Sequence, residues 1–252
     1  MARFQDRAAI VTGGGSGFGE AIARRLASEG CNVLIADIND ASAQRVAESI
    51  GNAAGFIGCD VSKATDIEGM VQRCLDAFGK IDILVNNAGY SHRSMLMWNL
   101  SEEEYDGVFN ANVKGVFLGC KYALPHMIER KSGVIINTAS IGAVAPRPGV
   151  TAYNATKGAV LTMTKGLALE VARHNIRVNC VNPVAADTGF MKGAMGVTDG
   201  LSAEQTSNLT STIPLRRLST PDDVAAAVCF LASDEASMIT GTALNVDGGR
   251  SV

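Results

Sequence analysis

The chain has no block of basic residues. Its 22 Lys and Arg are outnumbered by 25 Asp and Glu, which leaves a net charge of -3. Phosphate recognition starts from clustered positive charge, so the balance argues against a nucleic-acid partner. No apolar run approaches the roughly 20 residues that cross a bilayer, and no membrane span is expected. The first residues, Met1 to Asp6, lead straight into a strand-like segment. No secretory leader is expected from them. Cysteine is scattered rather than paired. The six thiols, at 31, 59, 74, 120, 180 and 229, form no Cys-x-x-Cys. Four of them fall inside apolar strand- or helix-like runs, which points to buried free thiols in a reducing, cytoplasmic setting. Histidine is sparse as well, with only His92, His126 and His174, far apart. Without clustered ligands, no catalytic metal is expected. Linkers, repeats and low-complexity stretches are missing too, and nothing divides the chain.

What is present is a regular alternation. Short apolar runs read as strands at Ala8–Thr12, Asn32–Ala36, Ala54–Cys59, Ile81–Asn86, Gly133–Thr138, Ile176–Val181 and Thr242–Val246. They are continuously hydrophobic, as strands covered on both faces should be. Helix-forming segments lie between them. Ser101-Glu102-Glu103-Glu104 has capping-box spacing, and Thr220-Pro221-Asp222-Asp223 offers an N-cap, a proline at the first position and acids in the first turn. With 252 residues, 47% hydrophobic, the chain suits one compact domain. The expected fold is α/β: a Rossmann-type, doubly wound parallel sheet of about seven strands with helices on both faces, a single domain over 1–252. One long stretch, Val184 to Leu215, reads as irregular. Loops of that length are often functional, and Phe190, Met191 and Met195 would give it apolar cover, so it is expected to form a lid.

The first strand runs into Thr12-Gly13-Gly14-Gly15-Ser16-Gly17-Phe18-Gly19, and a helix follows at once. Glycines let backbone approach a pyrophosphate, and a helix N-terminus offers free N–H groups and a positive dipole end. No Lys follows the last glycine, which excludes a P-loop. Asp37 ends the second strand, about 20 residues further on, where a carboxylate can accept hydrogen bonds from an adenosine ribose and repel a 2′-phosphate. Ser16 occupies the loop position that could carry a basic residue. Both features favour NAD over NADP.

Tyr153 and Lys157 lie four residues apart in a helix-forming stretch, Thr151 to Arg173. They should share one helix face, one turn apart. An ammonium near a phenol stabilises the phenolate, and the expectation is that Lys157 pulls the proton affinity of Tyr153 toward neutral pH, as a general acid/base needs.

These pieces, together with Asp60-Val61, Asn86-Asn87-Ala88-Gly89, Asn112, Ser140, Asn182-Pro183 and Asp247-Gly248-Gly249, resemble the short-chain dehydrogenase/reductase family in order and spacing, from Arg7 to Gly249. The resemblance implies that Tyr153 is the general acid in carbonyl reduction and the base in alcohol oxidation. Lys157 would bind the nicotinamide ribose. Ser140 would hold the substrate oxygen, and Asn112, mid-helix, would help hold a water in a proton relay to Lys157. Gly13, Ser16, Gly17, Phe18, Gly19 and Asp37 would bind the cofactor, with Asp60 and Val61 flanking the adenine. Asn87, Ala88, Gly89 and Pro183 would support it, and Thr188 would reach the carboxamide. The family commonly has glycine where this chain has Val184. Valine there implies ordinary extended backbone, with its side chain near the nicotinamide or substrate. A homotetramer is also implied, pairing the helices Glu103–Arg130 and Thr151–Arg173 and the C-terminal segment.

The pocket implied by the resemblance draws on Ser91, His92 and Arg93, on Val144, Ala145 and Arg147, and on Val184 and Met191 with their apolar neighbours in the lid. His92, Val184 and Met191 are the substrate candidates; Arg147 reads as a surface residue. The favoured activity is NAD-dependent interconversion of a secondary alcohol and a ketone, on a sugar, polyol, cyclic alcohol or hydroxy acid. The alternative is a 3-oxoacyl carrier-protein reductase. That activity normally pairs with NADPH and basic docking residues, and only Arg130, Lys131 and Arg173 lie close together here. A remote alternative is a non-catalytic NAD(H) sensor, which has no need of Ser140, Tyr153 and Lys157 together. A hydrolase fails for want of a Gly-x-Ser-x-Gly elbow.

Overall fold

A computed structural model describes residues 2–186 and 201–252. Among them, seven strands form: β1 (Ala8–Thr12), β2 (Asn32–Asp37), β3 (Ala54–Gly58), β4 (Ile83–Asn86), β5 (Gly133–Thr138), β6 (Ile176–Pro183) and β7 (Ala243–Val246). They make one sheet in the order β3-β2-β1-β4-β5-β6-β7, and every neighbouring pair is parallel. Each expected strand is present. The ends shift slightly: β4 begins at Ile83, and β6 runs on through Pro183.

The helices are α1 (Gly17–Ser28), α2 (Asp40–Ile50), α3 (Ala64–Phe78), α4 (Glu102–Phe109), α5 (Gly115–Arg130), α6 (Thr151–Val171), α7 (Ala203–Ser211) and α8 (Pro221–Ala232). Strand side chains alternate faces, and the two faces carry separate cores. Val11, Ile35 and Val85 pack with Ile22 and Leu26 of α1, Val46 of α2 and Val228 of α8. Ile10, Leu34 and Leu84 pack with Met70 of α3, Met127 of α5 and Val160 of α6. This double cover explains the continuously hydrophobic strands. Each fully buried Leu or Ile contributes about 1.5–3 kcal/mol relative to exposure.

The capping box read at Ser101 closes, and the N-cap read at Thr220 proves to be a full box as well. The Ser101 hydroxyl accepts from the Glu104 N–H, and the Thr220 hydroxyl accepts from the Asp223 N–H, with each acid reaching back to its cap. Two expectations need correction. The helix through Glu103–Arg130 is broken by a π turn, Asn110–Lys114, between α4 and α5. The stretch Val184–Leu215 is not irregular throughout, because it contains α7, started by a third capping box between Ser202 and Gln205. Residues 187–200, with Thr188, Phe190, Met191 and Met195, lie outside the described residues.

The chain builds outward from β1 to β3, then returns to lay β4 on the other side of β1. Connections leave the carboxyl ends of β1 and β4 in opposite directions, and a crevice opens where they part.

Candidate active site

The glycine turn closes one side of that crevice. Gly13 and Gly17 take φ of 62° and 54°, left-handed values that suit glycine. A Cβ on Gly19 would fall 2.0 Å from the Gly13 carbonyl oxygen, so Gly19 supports the turn from behind and takes no place in the cleft lining. Ser16 is the N-cap of α1, yet its side chain makes no capping hydrogen bond. The first amides of α1 are therefore left for a ligand. Asp37 is held at the tip of β2: Gly15 N–H donates to its Oδ2 at 2.9 Å and Asn39 N–H to its Oδ1 at 2.9 Å.

The floor is stitched by side chains. The Thr12 hydroxyl accepts from the N–H groups of Asn87 and Ala88, each at 3.0 Å. The Asn87 amide donates to the Thr12 carbonyl at 3.0 Å. Deeper in, Asn86 donates to Asn137 and Asn137 to Thr164, each at 2.9 Å. Buried amides cost little when paired, and these tie β4, β5 and α6 into one unit.

The opposite wall is reactive. Ser140 follows β5 and caps a short turn, its hydroxyl accepting from the Gly142 N–H at 3.0 Å. It also hydrogen-bonds Tyr153. Lys157, one turn along α6, is 4% exposed and donates to the Thr138 carbonyl at 2.8 Å. Its ammonium lies 5.7 Å from the centre of the Tyr153 ring. Burial lowers the proton affinity of Lys157 to about 8. Tyr153 behaves differently from the expectation. Burial raises its proton affinity above the ordinary phenol value, and the groups opposing that rise are Ser140, by its hydrogen bond, and Arg147, by its charge.

Between these walls lies a cleft of about 870 Å³. A family model described as enoyl-(acyl carrier protein) reductase matches residues 13–251. Over 248 residues, the chain is 46% identical to 4-formylbenzenesulfonate dehydrogenase of Comamonas testosteroni, covering 97% of both chains. It is 40% identical to 3-oxoacyl-(acyl-carrier-protein) reductase of Chlamydia muridarum, again over 97% of both. A solved 3-ketoacyl-(acyl-carrier-protein) reductase of Brucella melitensis, complexed with NADH, is 44% identical with a TM-score of 0.93, covering 99% of this chain and all of that one. The chain belongs to the short-chain dehydrogenase/reductase family. It is an oxidoreductase of the kind that works with a nicotinamide cofactor.

In this short-chain dehydrogenase/reductase the expected cofactor residues converge. Gly13, Ser16, Gly17, Phe18, Asp37, Asp60, Val61, Asn87, Ala88, Gly89, Tyr153, Lys157 and Pro183 all line the cleft. The residues present fit a dinucleotide: uncapped α1 amides at one side, a fixed carboxylate at Asp37, and a buried cation at Lys157. Val184 lines the cleft as expected and is 8% exposed. It takes no positive φ.

His92 is a correction. It is absent from the described lining, 5% exposed, with Nδ1 2.8 Å from the Arg93 carbonyl oxygen and Nε2 buried with no partner among the described residues. The loop folds its ring inward. Asn112 lies behind the wall, in the π turn. Its amide accepts from Tyr90 N–H at 2.9 Å and donates to the Tyr90 carbonyl at 2.9 Å and to Thr156 at 3.0 Å. The amide is thus engaged in linking α6 to the loop after β4. Sequence reasoning missed Asn154, which lines the cleft and holds the Arg147 carbonyl at 2.9 Å. It also missed Leu209 and Thr212, at the end of and just after α7. The Ser202-x-x-Gln205 spacing was a usable signal for that helix. Arg147 is exposed, as expected of a surface residue, and lines the cleft as well.

Proposed function

We propose that the protein is an NAD-dependent dehydrogenase that interconverts a secondary alcohol and a ketone. The observation that carries this reading is the convergence of Ser140, Tyr153 and Lys157 on one wall of a cleft whose far end holds the uncapped α1 N-terminus and Asp37. When bound, the nicotinamide accepts or supplies the hydride. Tyr153 takes the hydroxyl proton in oxidation and returns it in reduction. Ser140 holds the substrate oxygen where charge develops. Lys157 holds the nicotinamide ribose and passes protons toward solvent, and Asn112 keeps α6 in register behind Tyr153. Asp37 accepts from the adenosine ribose and repels a 2′-phosphate, which selects NAD. Val184 touches the substrate or nicotinamide. From the segment 184–215, Leu209 on α7 and Thr212 just after it border the cleft.

The name of the Comamonas relative supports a dehydrogenase of small molecules. A second reading, reduction of a 3-oxoacyl thioester, is favoured by the names of other relatives. The Brucella neighbour carries NADH, so a preference for NAD does not by itself exclude that reading. Against it, Arg130 is committed to Asp82 at 2.8 Å, which weakens the one basic cluster suited to an acidic carrier protein.

The working form is a homotetramer in a reducing cytoplasm. Phe117 on α5 and Leu169 on α6 are 52% and 83% exposed, and Gly158 and Gly166 of α6 have no neighbour where a Cβ would point. Their small surfaces are thus open to a partner helix rather than packed on the chain's own sheet.

The test is NADH formation from a panel of sugars, polyols, cyclic alcohols and hydroxy acids, with an acetoacetyl thioester plus NADH or NADPH as the reverse arm. Turnover of an alcohol supports the dehydrogenase; turnover of the thioester alone assigns the second reading. In the active assay, Tyr153→Phe lowers turnover by roughly two to four powers of ten while leaving NADH affinity nearly intact. Near-normal turnover would remove Tyr153 from the chemistry.

A further inference from the structure

The described cleft lining carries its charge unevenly. Its only acids, Asp37 and Asp60, sit at the tips of β2 and β3, at the adenine end. Around Tyr153 the described lining has Lys157 and Arg147 and no acid, and Arg250, after β7, is the third cation of that lining. Lys157 gives one donor to the Thr138 carbonyl and, in the proposed reading, the others to the nicotinamide ribose. Arg147 is not spent. Among the described residues its guanidinium has no hydrogen-bond or ion-pair partner, and only its backbone carbonyl is held, by Asn154 at 2.9 Å.

The backbone that carries Arg147 is fixed on both sides. Ala145 N–H donates to the Ile141 carbonyl at 2.8 Å, and Asn154 N–H donates to the Val150 carbonyl at 2.9 Å. Met95 N–H, from the loop after β4, donates to the Gly149 carbonyl at 2.9 Å. Asn154 itself is 7% exposed, so the anchor is a buried one. A guanidinium on a pinned loop loses less freedom when it binds than one on a mobile loop. Its planar fork matches the paired oxygens of a carboxylate or sulfonate, and a cleft wall of one sign concentrates ions of the other.

We infer that Arg147 recognises a negatively charged group, a carboxylate or sulfonate, on the substrate, and so selects small anionic alcohols and ketones. This rests on the proposed dehydrogenase reading and names its substrate class. The pyrophosphate of the cofactor is not the anion meant, because its place is across the cleft at α1.

The test separates binding from turnover. Benzenesulfonate and the neutral benzenesulfonamide are titrated into the enzyme–NADH complex and followed by NADH fluorescence. Wild type is expected to bind the sulfonate about tenfold tighter at low salt, with the ratio falling as salt is added. Arg147→Gln brings the ratio close to one, and Arg147→Lys keeps part of it, since a point charge lacks the fork. A wild-type ratio near one, no binding of the sulfonate, or an unchanged ratio in Arg147→Gln overturns the inference. Oxidation of a methyl phenyl carbinol and of its para-carboxylate is measured alongside. Turnover of the neutral alcohol without preference for the anion sinks this inference alone. Arg147-dependent sulfonate binding without oxidation of either alcohol keeps the anion site and sinks the dehydrogenase reading.

Discussion

Burial raises the proton affinity of the Tyr153 hydroxyl, while the Ser140 hydrogen bond and then the Arg147 charge oppose the rise. In the proposed alcohol oxidation Tyr153 acts as the phenolate, so the rate is expected to climb as pH approaches the affinity of this group. Removing the Arg147 charge takes away one opposing influence. The pH profile of kcat/KM for a neutral alcohol is therefore expected to move to higher pH in Arg147→Gln. An unmoved profile would mean the charge does not reach the phenol. Lys157 shifts the other way, to about 8, because burial penalises its ammonium. Below that pH the native state pays for a buried charge; above it the native lysine is neutral while the unfolded chain still holds its proton, so this group's contribution to stability grows with rising pH. At the other end of the cleft, Asp37→Ala is expected to narrow the ratio of kcat/KM for NAD over NADP. If the ratio stays put, some other group reads the ribose.

At the scale of elements, helix starts decide what enters the cleft. The box at Thr220 begins α8, which packs Val224, Val228 and Leu231 onto the face shared with α1. Thr220→Ala leaves the Asp223 N–H without its side-chain acceptor and is expected to cost about 1 kcal/mol in urea unfolding. No measurable loss would mean that packing, not capping, fixes that end of the helix. The box at Ser202 performs the same task for α7, which borders the cleft. Both boxes have the same spacing in sequence, yet only Thr220 stands out there, because a proline and an apolar helix follow it. The helix after Ser202 is mostly polar, with no buried residue, so it carries no hydrophobic period to announce it. The π turn at Asn110–Lys114 left a fainter trace, an Asn in a helix interior, where its side chain competes with the backbone.

For the whole molecule, one parallel sheet with a core on each face holds the site rigid at its carboxyl edge. The six cysteines are free and buried, and burial pushes five of the thiols up to about 12 and Cys180 to about 11. They act as small apolar side chains. No described helix is long and apolar enough to cross a membrane. The outward surfaces of α5 and α6 support the proposed tetramer, and sedimentation is expected to give four times the 26.2 kDa chain mass. A monomer at micromolar concentration would refute it.

The sequence alone determined the seven strands, the glycine turn, Asp37 and the Tyr153–Lys157 pair. Each is written in short-range pattern: runs of apolar residues, glycine where φ must be positive, and a four-residue helical step. Tertiary structure alone decided what those patterns face. Folding turned His92 inward, set the exposed Arg147 at the border of the cleft, added α7 to that border, and reversed the expected shift of the Tyr153 hydroxyl. Burial and charge at a site are set by groups far apart in the chain, and local periodicity holds no record of which of them will meet.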